Sequence, residues 1–101
     1  MMLQAKGDLD SAEPLLREAL AGCRETLGDK HPITLSSINN LGQVLEAKGD
    51  LDGAEALYRE ALAGARETLG DRHPSTLISI GNLGGLLKDP GKQAEAEALH
   101  V

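Results

Sequence analysis

The sequence repeats itself after 42 residues, and this internal repeat constrains the fold more than any other feature. The segment from Lys6 to Gly42 returns as the segment from Lys48 to Gly84 with eight mismatches, most of which preserve size or polarity. A fixed period of this length is typical of architectures in which one supersecondary unit stacks on its own copies. We therefore expect a stacked array rather than a single globular core.

Each repeat unit has the pattern of two helices. Helix A begins at Pro32, because proline is tolerated in the first helical turn, and its apolar residues then recur at helical spacing. These residues are Leu35, Ile38, Leu41, Val44 and Leu45. Helix B begins with Asp52 and Glu55, which we interpret as an N-terminal capping pair, and ends at Gly70. No segment shows the alternation that is typical of a strand.

The predicted fold class is therefore all-α, with antiparallel helix pairs stacked into a right-handed solenoid of about two and a half repeats. We treat the chain as a single repeat domain, 1–101. The predicted elements are a helix A stub at 1–6, helix B at 8–27, helix A at 32–48, helix B at 50–69, helix A at 74–88 and a helix B stub at 92–101.

Several residues of this unit resemble the tetratricopeptide repeat pattern. The matching residues are Leu41, Gly42, Leu45, Ala54, Tyr58, Ala61 and Pro74. Tetratricopeptide units usually have a period of about 34 residues, so the eight additional residues lengthen helix B by about two turns. This long variant is similar to the repeats of kinesin light chains. The third copy is degenerate, since Asp89-Pro90 replaces Ala47-Lys48.

Composition and charge exclude several classes of partner. The net charge is −6, Tyr58 is the single aromatic residue, and basic residues do not cluster, so nucleic acid is not an expected partner. No apolar run approaches the roughly 20 residues that span a bilayer, so we expect no membrane association. The single cysteine, Cys23, favours a reducing compartment, and we expect a cytoplasmic location.

No motif indicates catalysis, a metal or a cofactor. Asp50 and Asp52 have the spacing of a calcium loop, but the pattern fails at Ala54. His31 and His73 have no helical partner four residues away, so turn capping is favoured over metal ligation. The sequence therefore predicts a noncatalytic protein without cofactors.

The resemblance implies that the A helices line a concave groove in which asparagines near the Leu-Gly pair hydrogen-bond a peptide backbone. It places Asn40 and Asn82 in that groove, and more weakly Asn39 and Gln43. The alternative is that these residues lie on an ordinary solvated helix face. We expect an interaction scaffold or adaptor that binds a protein or peptide partner of unknown identity.

Two apolar ends are predicted to be exposed, because neither end of the array has a complete helix pair. The residues concerned are Leu9, Leu16 and Leu20 at one end, and Leu83, Leu86 and Leu87 at the other. We therefore expect a homo-oligomer formed by two-fold helix exchange or by head-to-tail stacking. The alternative function is a structural segment that self-assembles without an external ligand. We also expect Gly42 and Gly84, where helix A faces helix B, to tolerate alanine.

Overall fold

A computed structural model describes residues 6–99, with the side chains of residues 8–94, and contains five helices in this range. The helices are α1 (Lys6–Leu27), α2 (Pro32–Lys48), α3 (Leu51–Thr68), α4 (Pro74–Leu87) and α5 (Pro90–Leu99). Residues 6–99 contain no strand, so the predicted all-α fold is confirmed.

The helix bounds differ from the expected ones by one or two residues at several ends. Helix α1 begins at Lys6 rather than at residue 8, and α5 begins at Pro90 rather than at residue 92. The expected helix A stub falls on residues 1–5, which lie outside the described residues, and on the first residue of α1.

Both A helices begin with the same histidine-proline cap. His31 accepts a hydrogen bond at Nδ1 from the backbone N–H of Ile33 at 3.1 Å, and His73 accepts one from Ser75 at 3.0 Å. The proline that follows each histidine has no N–H to leave unsatisfied in the first turn. The two histidines are therefore N-cap residues of α2 and α4.

The cap of α3 is Asp50, and the expected capping pair of Asp52 and Glu55 is wrong. The side chain of Asp50 accepts a hydrogen bond from the backbone N–H of Gly53 at 3.0 Å. Since the helix begins at Leu51, Asp52 already lies within its first turn. The carboxylates of Asp52 and Glu55 form ion pairs with Lys92 instead.

Short connections force consecutive helices to pack antiparallel. Two to five residues join each pair, and three glycines, Gly28, Gly49 and Gly70, adopt φ values of 92 to 93° just after helix ends. Helix α2 packs between α1 and α3, α3 packs between α2 and α4, and α5 makes a smaller contact with α4. The chain is thus a layered stack of helix pairs, as the solenoid prediction requires.

The main core lies between α2 and α3, where leucines of α2 meet alanines and one tyrosine of α3. Leu41 and Leu45 of α2 belong to one buried cluster with Ala54, Tyr58 and Ala61 of α3, and all five are at most 4% exposed. Tyr58 is the largest of these buried side chains, and its hydroxyl donates a hydrogen bond to Glu46 at 2.9 Å.

Two glycines make room for side chains of the neighbouring helix. A Cβ atom at Gly42 would lie 2.7 Å from Cε1 of Tyr58, and one at Gly64 would lie 2.8 Å from Cδ2 of Leu35. The expectation that Gly42 tolerates alanine is therefore wrong. At Gly84, the repeat equivalent of Gly42, a Cβ would meet nothing within 4 Å.

Three of the six leucines expected at exposed ends are buried. Leu20, Leu83 and Leu86 are 6%, 8% and 0% exposed and belong to the core cluster, whereas Leu9 and Leu16 are half-buried and Leu87 is exposed. A helix face is shared between two neighbours, so a residue that faces the completed side is buried even when the other side is open. Periodicity alone did not separate these two sides.

Candidate functional site

A cleft of about 200 Å³ lies between the two A helices, α2 and α4. Its lining residues are Pro32, Leu35, Ser36, Asn39, Asn40, Gln43, Ala65, Ser75, Ile78 and Ser79. The cleft therefore has one polar side from α2, an apolar contribution from Ile78 of α4, and a floor that includes Ala65 of α3.

Asn39 links the two helices across the cleft. Its Nδ2 donates a hydrogen bond to Oγ of Ser79 at 3.1 Å, while its Oδ1 is buried without a hydrogen-bond partner. A buried acceptor that lacks a partner costs about 1–3 kcal/mol, so this oxygen is a position where a donor would be favoured. Asn39 therefore links α2 to α4 through its Nδ2, and its Oδ1 can still accept a hydrogen bond.

Asn40 and Gln43 are exposed on the same side of the cleft, three residues apart on α2. Residues at this spacing are neighbours on a helix surface, and each carboxamide offers both donors and an acceptor. Ile78 of α4 also lines the cleft, and its side chain is 59% exposed. The cleft thus combines amide groups, which can pair with a peptide backbone, with an apolar surface for a side chain.

Asn82 does not line this cleft, although it was expected in the groove as the repeat equivalent of Asn40. It is half-buried on α4, and its Nδ2 has no hydrogen-bond partner. The cleft requires two neighbouring A helices, and no A helix follows α4 within residues 6–99. The structure therefore brings Asn39, Asn40 and Gln43 together and leaves Asn82 apart from them.

Ile78 and Ser79 line the cleft but were not among the residues predicted to bind a peptide. The sequence does mark Ile78 as unusual, because the equivalent residue in the first copy is Ser36. This mismatch puts an apolar side chain on an otherwise polar helix face. The role of Ser79 had no such signal, since the equivalent residue, Ser37, is also a serine and contacts Cys23 rather than an asparagine.

A lysine at the end of the next A helix, or shortly after it, forms ion pairs with two carboxylates near the start of each B helix. Lys48 binds Asp10 at 2.9 Å and Glu13 at 2.6 Å. This contact lowers the pKa of the Glu13 carboxyl, chiefly through the hydrogen bond from Lys48, and raises the pKa of the Lys48 ammonium.

The same carboxylate pair is bound by a lysine one repeat later. Lys92 binds Asp52 at 2.9 Å and Glu55 at 2.8 Å, and its hydrogen bond lowers the pKa of the Glu55 carboxyl. The lysine lies two residues further along than the equivalent of Lys48, which is Pro90. The contact therefore persists although the third copy is degenerate.

Consecutive B helices are joined by an arginine. Arg24 of α1 donates two hydrogen bonds to the carboxylate of Glu60 in α3, at 2.6 and 3.0 Å, and a third to Asp29 at 3.0 Å. These contacts raise the pKa of the Arg24 guanidinium, with the Glu60 hydrogen bond as the largest cause. Lys30, in the connection between α1 and α2, forms a further ion pair with Glu67 of α3 at 2.7 Å.

The described residues contain no arrangement that would hold a metal ion. Residues 6–99 include no group of three or more histidine, cysteine or acidic side chains placed to ligate one, and no described helix is long and apolar enough to cross a membrane. The cleft is also smaller than the roughly 300–1,000 Å³ of typical small-molecule sites, and its size suits one or two side chains.

Comparison with known proteins identifies the repeat. The family model for the tetratricopeptide repeat matches residues 1–67 and again residues 39–100, so the two matches together span nearly the whole chain. A search of curated proteins found no match to the chain. The family match agrees with the stacked helix pairs of the fold. The chain therefore belongs to the tetratricopeptide repeat family.

Proposed function

We propose that this chain is a noncatalytic interaction module that binds an extended peptide segment of a partner protein in the cleft between α2 and α4. Tetratricopeptide repeats generally mediate protein–protein interaction, which gives the proposal its class. The observation that carries it is the pair of exposed carboxamides, Asn40 and Gln43, which share the cleft with the exposed side chain of Ile78.

The cleft favours a peptide backbone over other ligands. An extended peptide presents alternating N–H and C=O groups, and a carboxamide can pair with both. No lysine or arginine lines the cleft, so it offers no cation to a phosphate or a terminal carboxylate. The proposed ligand is therefore an internal, uncharged peptide segment with one apolar side chain that packs against Ile78.

The proposal also predicts weak binding. A cleft of this size covers only a few residues of a peptide, and small interfaces without a buried anchor give micromolar or poorer affinity. Higher affinity would require further clefts of the same kind in a longer array. Scaffold and adaptor roles, in which several weak contacts add up, fit such a module.

The test is selection of a peptide from a random linear library displayed on phage, followed by fluorescence anisotropy with the recovered peptide. Asn40→Ala and Gln43→Ala should each weaken its binding by about three- to tenfold, in line with the loss of one or two hydrogen bonds. Asn82→Ala is the matched control, because Asn82 is the repeat equivalent of Asn40 and lies outside the cleft. Equal affinity for all three variants would contradict the proposal.

A second candidate function is structural self-assembly without an external ligand. The observation in its favour is an exposed apolar face on α4, which includes Leu77, Ile80 and Leu87. Leu9 and Leu16 on α1 are half-buried and would contribute from the other end of the stack. The two candidates use different surfaces, so one chain can serve both functions.

A further inference from the structure

The two A helices, α2 and α4, have nearly the same sequence but differ in how far neighbouring helices cover them. Leu77, Ile80 and Leu87 of α4 are 53%, 39% and 41% exposed. Their equivalents 42 residues earlier, Leu35, Ile38 and Leu45, are 3%, 0% and 4% exposed, because α3 packs beside α2. The face of α4 that carries these three side chains is hereafter the open face. Its expected neighbour is a complete helix B.

Helix α5 fills only part of that place. Its residues, Pro90–Leu99, are equivalent to residues 48–57, which is the N-terminal half of a helix B. In an antiparallel pair this half lies beside the C-terminal part of helix A, yet Leu87 in that part of α4 is still 41% exposed, so α5 covers the open face incompletely. The N-terminal part of α4, with Leu77 and Ile80, has no such cover.

Helix α1 has the sequence of a complete helix B, which is the neighbour expected on the open face. It is a helix B that differs from residues 48–69 at four positions, and no A helix precedes it within residues 6–99. Accordingly, Ala19 is exposed on α1, whereas its equivalent Ala61 is fully buried on α3. Leu15 is 67% exposed, whereas its equivalent Leu57 is packed against the core. The exposed side of α1 therefore matches the side that α3 uses to cover α2.

Charged residues at the two ends of the stack are also complementary. Arg24 and Glu60 join consecutive B helices, and their equivalents are Arg66 of α3 and Glu18 of α1. Arg66 is 54% exposed and its described ion pair, with Asp71, is 3.5 Å long, while Glu18 is exposed without an ion pair among residues 8–94. One end of the stack thus presents the arginine and the other end presents its carboxylate.

We propose that the open face of α4 binds α1 of a second copy of this chain, head to tail, in place of α5. The second copy's α1 then lies against α4 as α3 lies against α2, with Leu16 of the partner subunit next to Gly84 in the place that Tyr58 takes beside Gly42. Arg66 pairs with Glu18 of the partner subunit, as Arg24 pairs with Glu60. This inference develops the self-assembly candidate and does not depend on the peptide cleft.

The geometry of this contact determines the type of assembly. The two surfaces are different, so an array of any length still has an open face at one end and an uncovered α1 at the other. Head-to-tail stacking therefore extends the array without closing at two chains, whereas a two-fold exchange of helices would stop at a dimer. The mass at high concentration distinguishes the two.

The first test is sedimentation velocity of the full chain from about 1 to 500 micromolar, a range that spans weak to moderate affinities. The weight-average mass is expected to rise through two chains to larger species. A mass that stays at one chain, or that levels off at two, would overturn the proposal.

Charge reversal tests the register of the contact. Arg66→Glu and Glu18→Arg should each lower the association constant by about fivefold to tenfold, because each replaces an attraction with a repulsion. The double variant, and an equimolar mixture of the two single variants, should recover association, since opposite charges then meet again. Losses in the single variants without recovery in either case would refute the proposed pairing.

An apolar substitution with a matched control tests the open face. Ile80→Glu should lower the association constant by more than about tenfold. Ile33→Glu should leave it unchanged, because Ile33 is 56% exposed on α2 although that helix has both of its neighbours. Equal effects of the two substitutions would exclude the open face as the contact. Circular dichroism checks that the variants fold, and binding of the library-selected peptide to Ile80→Glu tests the cleft separately.

Discussion

Alanine at Gly42 and alanine at Gly84 should have opposite effects on stability, although the two glycines are repeat equivalents. Each substitution gains about 0.8–1.0 kcal/mol of helix propensity. At Gly42, the new Cβ would lie 2.7 Å from Cε1 and 2.9 Å from Cδ1 of Tyr58, well inside the 3.4 Å at which ordinary contact begins. The ring or the helix must therefore move by several tenths of an ångström.

Tyr58 is poorly placed to make that movement. Its side chain is 1% exposed and its hydroxyl is hydrogen-bonded to Glu46. Overpacking of this kind costs about 1–3 kcal/mol, which outweighs the gain in propensity. We expect Gly42→Ala to destabilise the chain by up to about 2 kcal/mol, and Gly84→Ala to stabilise it by up to about 1 kcal/mol.

Urea unfolding followed by circular dichroism measures both changes. It should be run at low micromolar concentration, because self-association would add its own stabilisation to the measured value. The cost of Gly42→Ala should shrink in a Tyr58→Leu background, since leucine is the residue at the equivalent position 16. If Gly42→Ala stabilised the chain as much as Gly84→Ala does, the close approach of α2 to Tyr58 would be refuted.

Three further predictions follow from the described contacts. Pro14 lies inside α1, so Pro14→Ala should stabilise the chain by about 1–3 kcal/mol in urea unfolding, whereas Ala56→Pro at the equivalent position should be similarly destabilising. Asp50→Ala should lower the free energy of unfolding by about 1 kcal/mol, because the N-cap of α3 is lost. Asp50→Asn should keep most of that stability in the same urea experiment, since asparagine is an equally good N-cap residue. Burial and the Glu46 hydrogen bond raise the pKa of Tyr58, so its contribution to stability is present below pH 10 and is lost as pH rises above that unfolded-state value. Phenolate absorbance, which reports this single tyrosine, should therefore appear only together with loss of the helical signal.

The helix pairs could be predicted from the sequence because the repeat supplies the same evidence twice. Pro32 and Pro74 mark both A helices, and glycines such as Gly28 and Gly70 mark the ends of both B helices. The helical spacing of apolar residues then identifies one face on each helix. These signals are local, so they do not depend on how the helices are arranged in space.

The arrangement of neighbours could not be predicted in the same way. Leu77 and Leu35 have the same sequence context, yet one is exposed and the other is buried, because only α2 has a complete helix B beside it. Likewise, Asn40 and Asn82 are equivalent in sequence, and only Asn40 has a second A helix across from it. Burial and site formation depend on what each face meets, which periodicity does not contain.

The cap of α3 illustrates a third limit. Asp50 and Asp52 are both acceptable N-cap residues, and a glutamate three residues after Asp52 favoured the wrong one. The choice depends on where the chain leaves Gly49, whose φ of 93° directs the backbone so that Asp50 faces the N–H of Gly53. Backbone direction in a two-residue connection is not readable from residue type alone.

The most direct test of the central claim is a ¹H–¹⁵N titration that follows side-chain amide signals as the library-selected peptide is added. The account predicts that the signals of Asn40 and Gln43 shift first and saturate together, whereas the signal of Asn82 stays in place. A peptide that shifts Asn82 and leaves Asn40 and Gln43 unchanged would contradict the assignment of the cleft between α2 and α4 as the binding site.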